Sequence, residues 1–207
     1  MKNMSERTQI RIVAGTLRGR KLTCVVHPGM RPTPQMVREA LFSILGNAVP
    51  GRVFYDVFAG TGVVGLEAVS RGATSARCIE SDARQAADIQ KYADQFGVGK
   101  QVQVLRADVY RWAERWIPPG QSPVNLFLSP PFPDLSERAE EFLQLVRTLL
   151  DKAPNESVLT IQAEDGFPVE QLPEVDSWDV RRYGRNMLLF YVKSVPDGTI
   201  DSDSSTN

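Results

Sequence analysis

The run Val53-Phe54-Tyr55-Asp56-Val57-Phe58-Ala59-Gly60-Thr61-Gly62-Val63-Val64-Gly65-Leu66-Glu67 constrains this chain more than any other stretch. Its opening is apolar, aromatic and β-branched, which reads as a strand buried in a parallel sheet. Asp56 interrupts it near the carboxyl end, three glycines follow, and Leu66-Glu67-Ala68-Val69 is good helix material. Strand, glycine turn and helix in that order make the first half of a βαβ unit. In an open α/β sheet, ligands bind beyond the carboxyl ends of the strands. Asp56 and the glycines are therefore expected beside a small-molecule site.

The rest of the chain repeats the alternation. Strands are predicted at 53–58, 76–80, 102–105, 124–128 and 157–162, with helices at 62–71, 82–96, 109–116 and 134–152. Asp134 and Glu137 have capping-box spacing at the start of the last helix. Residues 178–182 and 187–193 read as a closing hairpin around Tyr183-Gly184-Arg185-Asn186. The expected fold is α/β: a doubly wound, Rossmann-like sheet of seven strands, mostly parallel, with an antiparallel C-terminal hairpin.

The N-terminal part has a different character. Gln9 to Gly15 alternates as a short strand, and Thr16-Leu17-Arg18-Gly19-Arg20-Lys21-Leu22 suggests a hairpin turn presenting cations. The prolines of Arg31-Pro32-Thr33-Pro34 stiffen a link, Thr33 is placed to cap the next helix, and residues 35–45 are helical. The spacing leaves Arg38 and Glu39 of that helix toward solvent or ligand. The organisation read from these signals is a disordered 1–8, a basic extension at 9–48, a catalytic body at 49–194 and a disordered acidic tail at 195–207.

Charge supports the division. Residues 1–40 carry eight basic side chains against two acidic ones, although the whole chain has a net charge of −1. A basic arm on an acidic body suits a polyanion. Cys24 and Cys78 stand far apart without a partner pattern and read as buried thiols. His27 is the only histidine, which disfavours a Ser-His-Asp triad or a histidine-rich metal site. The lack of a long apolar run or of an apolar leader predicts a cytoplasmic protein without a membrane span.

Gly60-Thr61-Gly62-Val63-Val64-Gly65 fits the dinucleotide fingerprint, and Glu80 follows Gly60 by 20 residues, at a distance suited to gripping a ribose. NAD is thus the first reading. Asp56 argues against it, because a carboxylate beside the turn repels a pyrophosphate and attracts the sulfonium and amino group of S-adenosylmethionine. Asp108, after Ala107 at the end of the third strand, is placed to accept from an adenine amino group. The bland reading makes Asp56 or Asp108 a helix cap; three acidic strand ends in a row favour the ligand. Ser129-Pro130-Pro131-Phe132 closes the fourth strand with a rigid loop and an aromatic face for a flipped base.

These features resemble the class I S-adenosylmethionine-dependent methyltransferases, and Ser129-Pro130-Pro131-Phe132 resembles the Asn/Asp-Pro-Pro-Tyr/Phe motif of base amino-methylating enzymes. Arg11-Ile12-Val13-Ala14-Gly15, Arg18-Gly19-Arg20-Lys21-Leu22, Arg31-Pro32-Thr33 and Val37-Arg38-Glu39-Ala40-Leu41-Phe42 further resemble the RsmD family, from about residue 9 to 192. That resemblance implies metal-free methylation of guanine N2 in 16S rRNA by a monomer, on free rRNA or an assembling 30S subunit. It places Asp56, Gly60 and Gly62 at the cofactor's methionine end, with Phe58, Ala59, Thr61, Gly65, Ser81 and Ala107 around them, Glu80 at the ribose and Asp108 at the adenine. Ser129 and Pro130 would orient the target amino group, with Pro131 stiffening the loop and Phe132 stacking on the base. Arg11, Arg18, Arg20, Lys21, Arg31 and Arg38 would hold phosphates, with Thr33 beside them.

Serine at 129 departs from the family pattern. Losing a charged acceptor there is expected to cost about 1.5–3 kcal/mol of transition-state stabilisation, roughly 10- to 150-fold in rate. Three other readings stay open: methylation of another base, such as adenine N6; an RNA-binding assembly factor weakened in catalysis by Ser129; and an NAD-dependent oxidoreductase.

Overall fold

The computed structural model describes residues 6–26 and 32–194. His27, Arg31, residues 1–5 and the acidic tail from 195 lie outside the described residues. Strands β1 (Glu6–Arg11) and β2 (Lys21–Val26) pair antiparallel as a separate hairpin, followed by α1 (Gln35–Leu45). The main sheet is built from β3 (Val53–Val57), β4 (Ser75–Glu80), β5 (Val102–Arg106), β6 (Asn125–Leu128), β7 (Val158–Glu164), β8 (Trp178–Tyr183) and β9 (Asn186–Val192). Their order is β5-β4-β3-β6-β7-β9-β8, with the first five parallel and β9 antiparallel to both neighbours. Helices α2 (Val63–Ser70), α3 (Ala83–Gln95), α4 (Val109–Arg115), α5 (Phe132–Glu137) and α6 (Ala139–Lys152) complete the α-helices of the described residues.

Period-two alternation divides the core between the two faces. Phe54 and Phe127 pack with α1, α2, α3 and the β1–β2 hairpin, whereas Tyr55, Val57, Leu126 and Leu128 pack with α4 and α6. Central strands β3 and β6 are buried almost throughout, as a sheet covered on both sides requires. The chain runs outward through β4 and β5 on one side of β3, then returns to β6 on the other. This reversal is the topological switch point where a crevice opens.

The N-terminal residues share a core with the sheet. Backbone and side-chain bonds join them to the C-terminal half of α2: the Thr16 amide donates to the Ser70 carbonyl, the Leu17 amide to Ser70 Oγ, and Ser70 Oγ to the Ala14 carbonyl. Gly15, at φ +80°, lies so near that an added Cβ would be 1.8 Å from the Ser70 carbonyl oxygen. Glu67 is the charged centre of this junction. It is fully buried and accepts from Arg38 Nε at 2.9 Å, Arg71 Nη2 at 3.1 Å and the Val13 amide at 3.2 Å.

The structure departs from the sequence pattern at several points. The first strand starts at Glu6, so residues 6–8 belong to it, and it ends at Arg11, after which the Val13 amide donates to Glu67. Thr33 does not cap α1; Pro34 is the N-cap position and no side chain caps it. Arg38 does not face solvent: at 2 % exposure it bonds Glu67, the Thr33 carbonyl and the Arg11 carbonyl. The expected helix from 134 to 152 is two helices broken at Arg138, and Asp134 lies inside the first rather than capping it. Side chains from α4 and α6 meet at the break. Tyr110 Oη donates to Asp134, while Arg138 lies 3.9 Å over the Tyr110 ring and pairs with Glu141.

Glu67→Ala strands Arg38 as an uncompensated buried cation and is expected to lower stability by about 3–5 kcal/mol. Joint replacement by Arg38→Met and Glu67→Leu should cost much less than the single change, and urea denaturation checks the ranking.

Candidate active site

A cavity of about 680 Å³ opens at the switch point, within the size range of small-molecule sites. The carboxyl end of β3 supplies Asp56, Phe58, Ala59, Gly60 and Thr61; the end of β4 supplies Ile79, Glu80 and Ser81. The loop after β6 supplies Ser129, Pro130, Pro131 and Phe132, and Pro32, Thr33 and Pro34 close the far wall. These walls bring together most of the residues expected from the sequence.

The glycine turn is held by its carboxylates. Glu80 Oε2 accepts from the Gly60 amide and its Oε1 from the Asp82 amide, both at 2.8 Å. The carboxylate is thereby locked with lone pairs left for a ligand's hydroxyls. Gly60 and Gly62 take left-handed φ values of 53° and 71°, and a Cβ on Gly62 would come within 2.7 Å of Ile89. Phe58 takes φ 68° without being glycine, a strained backbone held by edge-on packing against Tyr110. Gly62 and Gly65 shape the turn from behind and do not line the cavity.

Asp56 Oδ2 accepts from the Gly65 amide in the first turn of α2 at 2.9 Å. An internal anion thus takes a helix-terminal amide that a phosphate would otherwise use. Burial pushes the Asp56 carboxyl up to about 7; the Gly65 hydrogen bond opposes the rise and the Glu80 charge adds to it. The group is poised near neutrality and is ionised more fully beside a cation.

Ala107 and Asp108 are not among the cavity walls. Asp108 is exposed and caps α4, accepting from the Arg111 amide at 3.0 Å, while Val109 presents an apolar wall instead. Val109 and Ile79 line the cavity, whereas the expected Asp108 does not. Gln85 also lines the cavity, with its Oε1 buried and unpartnered among the described residues, which suits a ligand's donor.

Arg11, Arg18, Arg20 and Lys21 are exposed along the hairpin. Arg38 cannot contribute there, since its guanidinium is occupied inside the protein. Thr33 is buried and its hydroxyl proton is donated to Gln162 at 2.9 Å, so it builds the wall instead of meeting a phosphate. Sequence reasoning missed Gln162, Glu164, Arg185 and Asn186, which line the cavity opposite the glycine turn. The fifth strand and the hairpin turn were recognisable, yet only strand order β6-β7-β9 brings them to Ser129.

The fold and crevice define the class: a Rossmann-like methyltransferase architecture. The chain belongs to the family described as "Conserved hypothetical protein 95", which matches residues 10–192 and is the RsmD family. It is 49% identical over 80 residues to the Escherichia coli K12 "Ribosomal RNA small subunit methyltransferase D", an alignment covering 39% of this chain and 40% of the relative. The solved Escherichia coli "Putative methyltransferase yhhF" is similar at TM-score 0.70 and 27% identity, over 90% of this chain and 99% of that one. The Thermus thermophilus 16S rRNA N2 methyltransferase RsmC, solved with AdoMet and guanosine, shares the fold at TM-score 0.69 and 21% identity, over 91% of this chain and 50% of that one.

Raising the Asp56 pKa above its unfolded value means that the empty protein loses stability as pH climbs from about 4 through about 7. The loss is on the order of 4 kcal/mol from this group alone. Asp56→Asn should therefore raise the melting temperature relative to wild type at pH 8 and change it little near pH 4. Thermal scans across that range check the sign.

Proposed function

We propose that this protein transfers the methyl group of S-adenosylmethionine to the exocyclic N2 of a guanine in 16S rRNA, acting in the cytoplasm. The observation that carries the reading is a cavity with a cofactor-type end, Asp56 and Glu80 beside the glycine turn, joined to an acceptor-type end, Ser129 to Phe132. The fit to the cofactor rests on charge: Asp56 excludes a pyrophosphate and favours a cation, and Glu80 presents an ordered carboxylate to a diol. When bound, S-adenosylmethionine supplies an electrophilic methyl on a positively charged sulfur.

The protein's own contribution is electrostatic and geometric. Ionised Asp56 holds the cofactor's positive charge, and the apolar walls at Ile79 and Val109 take the adenine. Ser129 and the Pro130 carbonyl accept from the target amino group and aim its lone pair, with Phe132 beside the ring. Positioning of this kind accounts for several kcal/mol of a transfer barrier without a covalent intermediate. Arg11, Arg18, Arg20 and Lys21 approach RNA phosphates, and Arg185 adds a cation at the cavity wall. The curated name of the Escherichia coli relative supports rRNA as the acceptor.

Deleting the gene should remove one N2-methylguanine from 16S rRNA by mass spectrometry, and restoring it should return the mark; an unchanged map rejects the assignment. Arg18→Glu with Arg20→Glu should weaken RNA binding and flatten its salt dependence by roughly one to two units of slope. Cofactor affinity should be unchanged by that pair. Affinity for S-adenosylmethionine should rise with pH toward about 7 and then level, because the cation binds the ionised form of Asp56. The neutral thioether product should show a much weaker trend in the same calorimetric titration.

A further inference from the structure

Ser129 raises a specific chemical question. A hydroxyl is both donor and acceptor, and its proton rotates to whichever neighbour takes it. Facing a target amino group, a serine is useful only if its proton points elsewhere and a lone pair points at the amine. The cavity contains a group that fixes this choice.

Gln162 lies on β7 beside the end of β6 and is 8 % exposed. Its Oε1 accepts from Thr33 Oγ1 at 2.9 Å and from Ser129 Oγ at 3.3 Å, while its Nε2 donates to Asn186 Oδ1 at 3.3 Å. A carbonyl oxygen has two lone pairs, and both are engaged. In this arrangement the two hydroxyls meet its oxygen, and the Asn186 oxygen meets its nitrogen. Ser129 therefore donates to Gln162 and keeps only acceptor capacity for the cavity.

We infer that Gln162 is a positioning residue that turns Ser129 into an obligate hydrogen-bond acceptor for the target amino group. The inference rests on the proposed amino-group methylation and extends it. The serine supplies the lone pair, the glutamine dictates its direction, and Thr33 and Asn186 keep the glutamine from rotating. Such a pair does the work of a single side-chain amide or carboxylate, which carries a fixed acceptor of its own. It also restricts the site to target atoms bearing a hydrogen, since a ring nitrogen would meet lone pair with lone pair.

The test is a cycle of variants assayed by transfer of labelled methyl to 16S rRNA and to 30S particles, with cofactor affinity measured separately by calorimetry. Gln162→Met preserves length and apolar packing but removes the acceptor. It should lower kcat about 10- to 100-fold, with KM and cofactor affinity within about twofold of wild type. Gln162→Glu retains an oxygen for both hydroxyls and should keep kcat within a few-fold. In a Ser129→Asn background, where the acceptor is fixed by its own amide, Gln162→Met should cost less than about threefold.

An equal cost of Gln162→Met in both backgrounds, or none in wild type, overturns the inference while leaving the methyltransferase reading intact. If Gln162→Met loses its folded structure, the contrast carrying the test becomes Gln162→Glu against Ser129→Ala: retained against reduced kcat supports it, equal loss overturns it. Absence of methyl transfer by the wild-type protein itself removes both readings together.

Discussion

The buried carboxylate of Glu67 is the interaction on which the arrangement of this protein depends. It lies in the helix that follows the glycine turn and gathers Arg38, Arg71 and the Val13 amide around one charge. A carboxylate with no solvent exposure is tolerated only when its lone pairs and its charge are met. Meeting them pulls the N-terminal segment onto α2, and Arg38 in turn fixes the carbonyls of Arg11 and Thr33. The same contact therefore holds the basic hairpin against the sheet and holds Pro32-Thr33-Pro34 against the cavity. The basic hairpin and the cavity wall are thus joined by one internal network.

The cavity itself is assembled from parts with separate demands. At one end, Asp56 and Glu80 are anchored to backbone amides, so their charge is presented without side-chain freedom to lose on binding. At the other, hydrogen bonds link Thr33, Gln162, Ser129 and Asn186 in one chain of polar groups. The helix carrying Phe132 is fastened separately, by Tyr110 bonded to Asp134 and stacked under Arg138. Each end is preorganised by neighbours from a different part of the chain.

Much of this was legible from sequence because the signals are local. The strand-turn-helix at 53–70, the alternation that follows it and the Pro-Pro loop each depend on residues adjacent in the chain. Arg18, Arg20 and Lys21 were readable for the same reason, since a glycine-broken turn exposes its neighbours. Arg38 was misread because helical spacing reports which face is polar, and it does not report a buried carboxylate 29 residues away waiting to neutralise that face. Asp108 was assigned to adenine because a strand end reads the same whether its carboxylate faces a ligand or caps the next helix. The helix break at Arg138 was hidden because the ring that meets this arginine belongs to a tyrosine on α4.

By itself, then, the sequence determined the α/β class, the position of the glycine turn and its acidic neighbours, the basic arm and the Pro-Pro loop after β6. Each of these follows from periodicity or from the backbone demands of glycine and proline, which act over a few residues. Tertiary structure decided which charges face inward and which residues share the cavity. Gln162 meets Ser129 and Thr33 only because β7 pairs beside β6 and the N-terminal link crosses above them. Hydrogen-bond direction and buried charge pairing are properties of three-dimensional neighbours, and neither leaves a pattern along the chain.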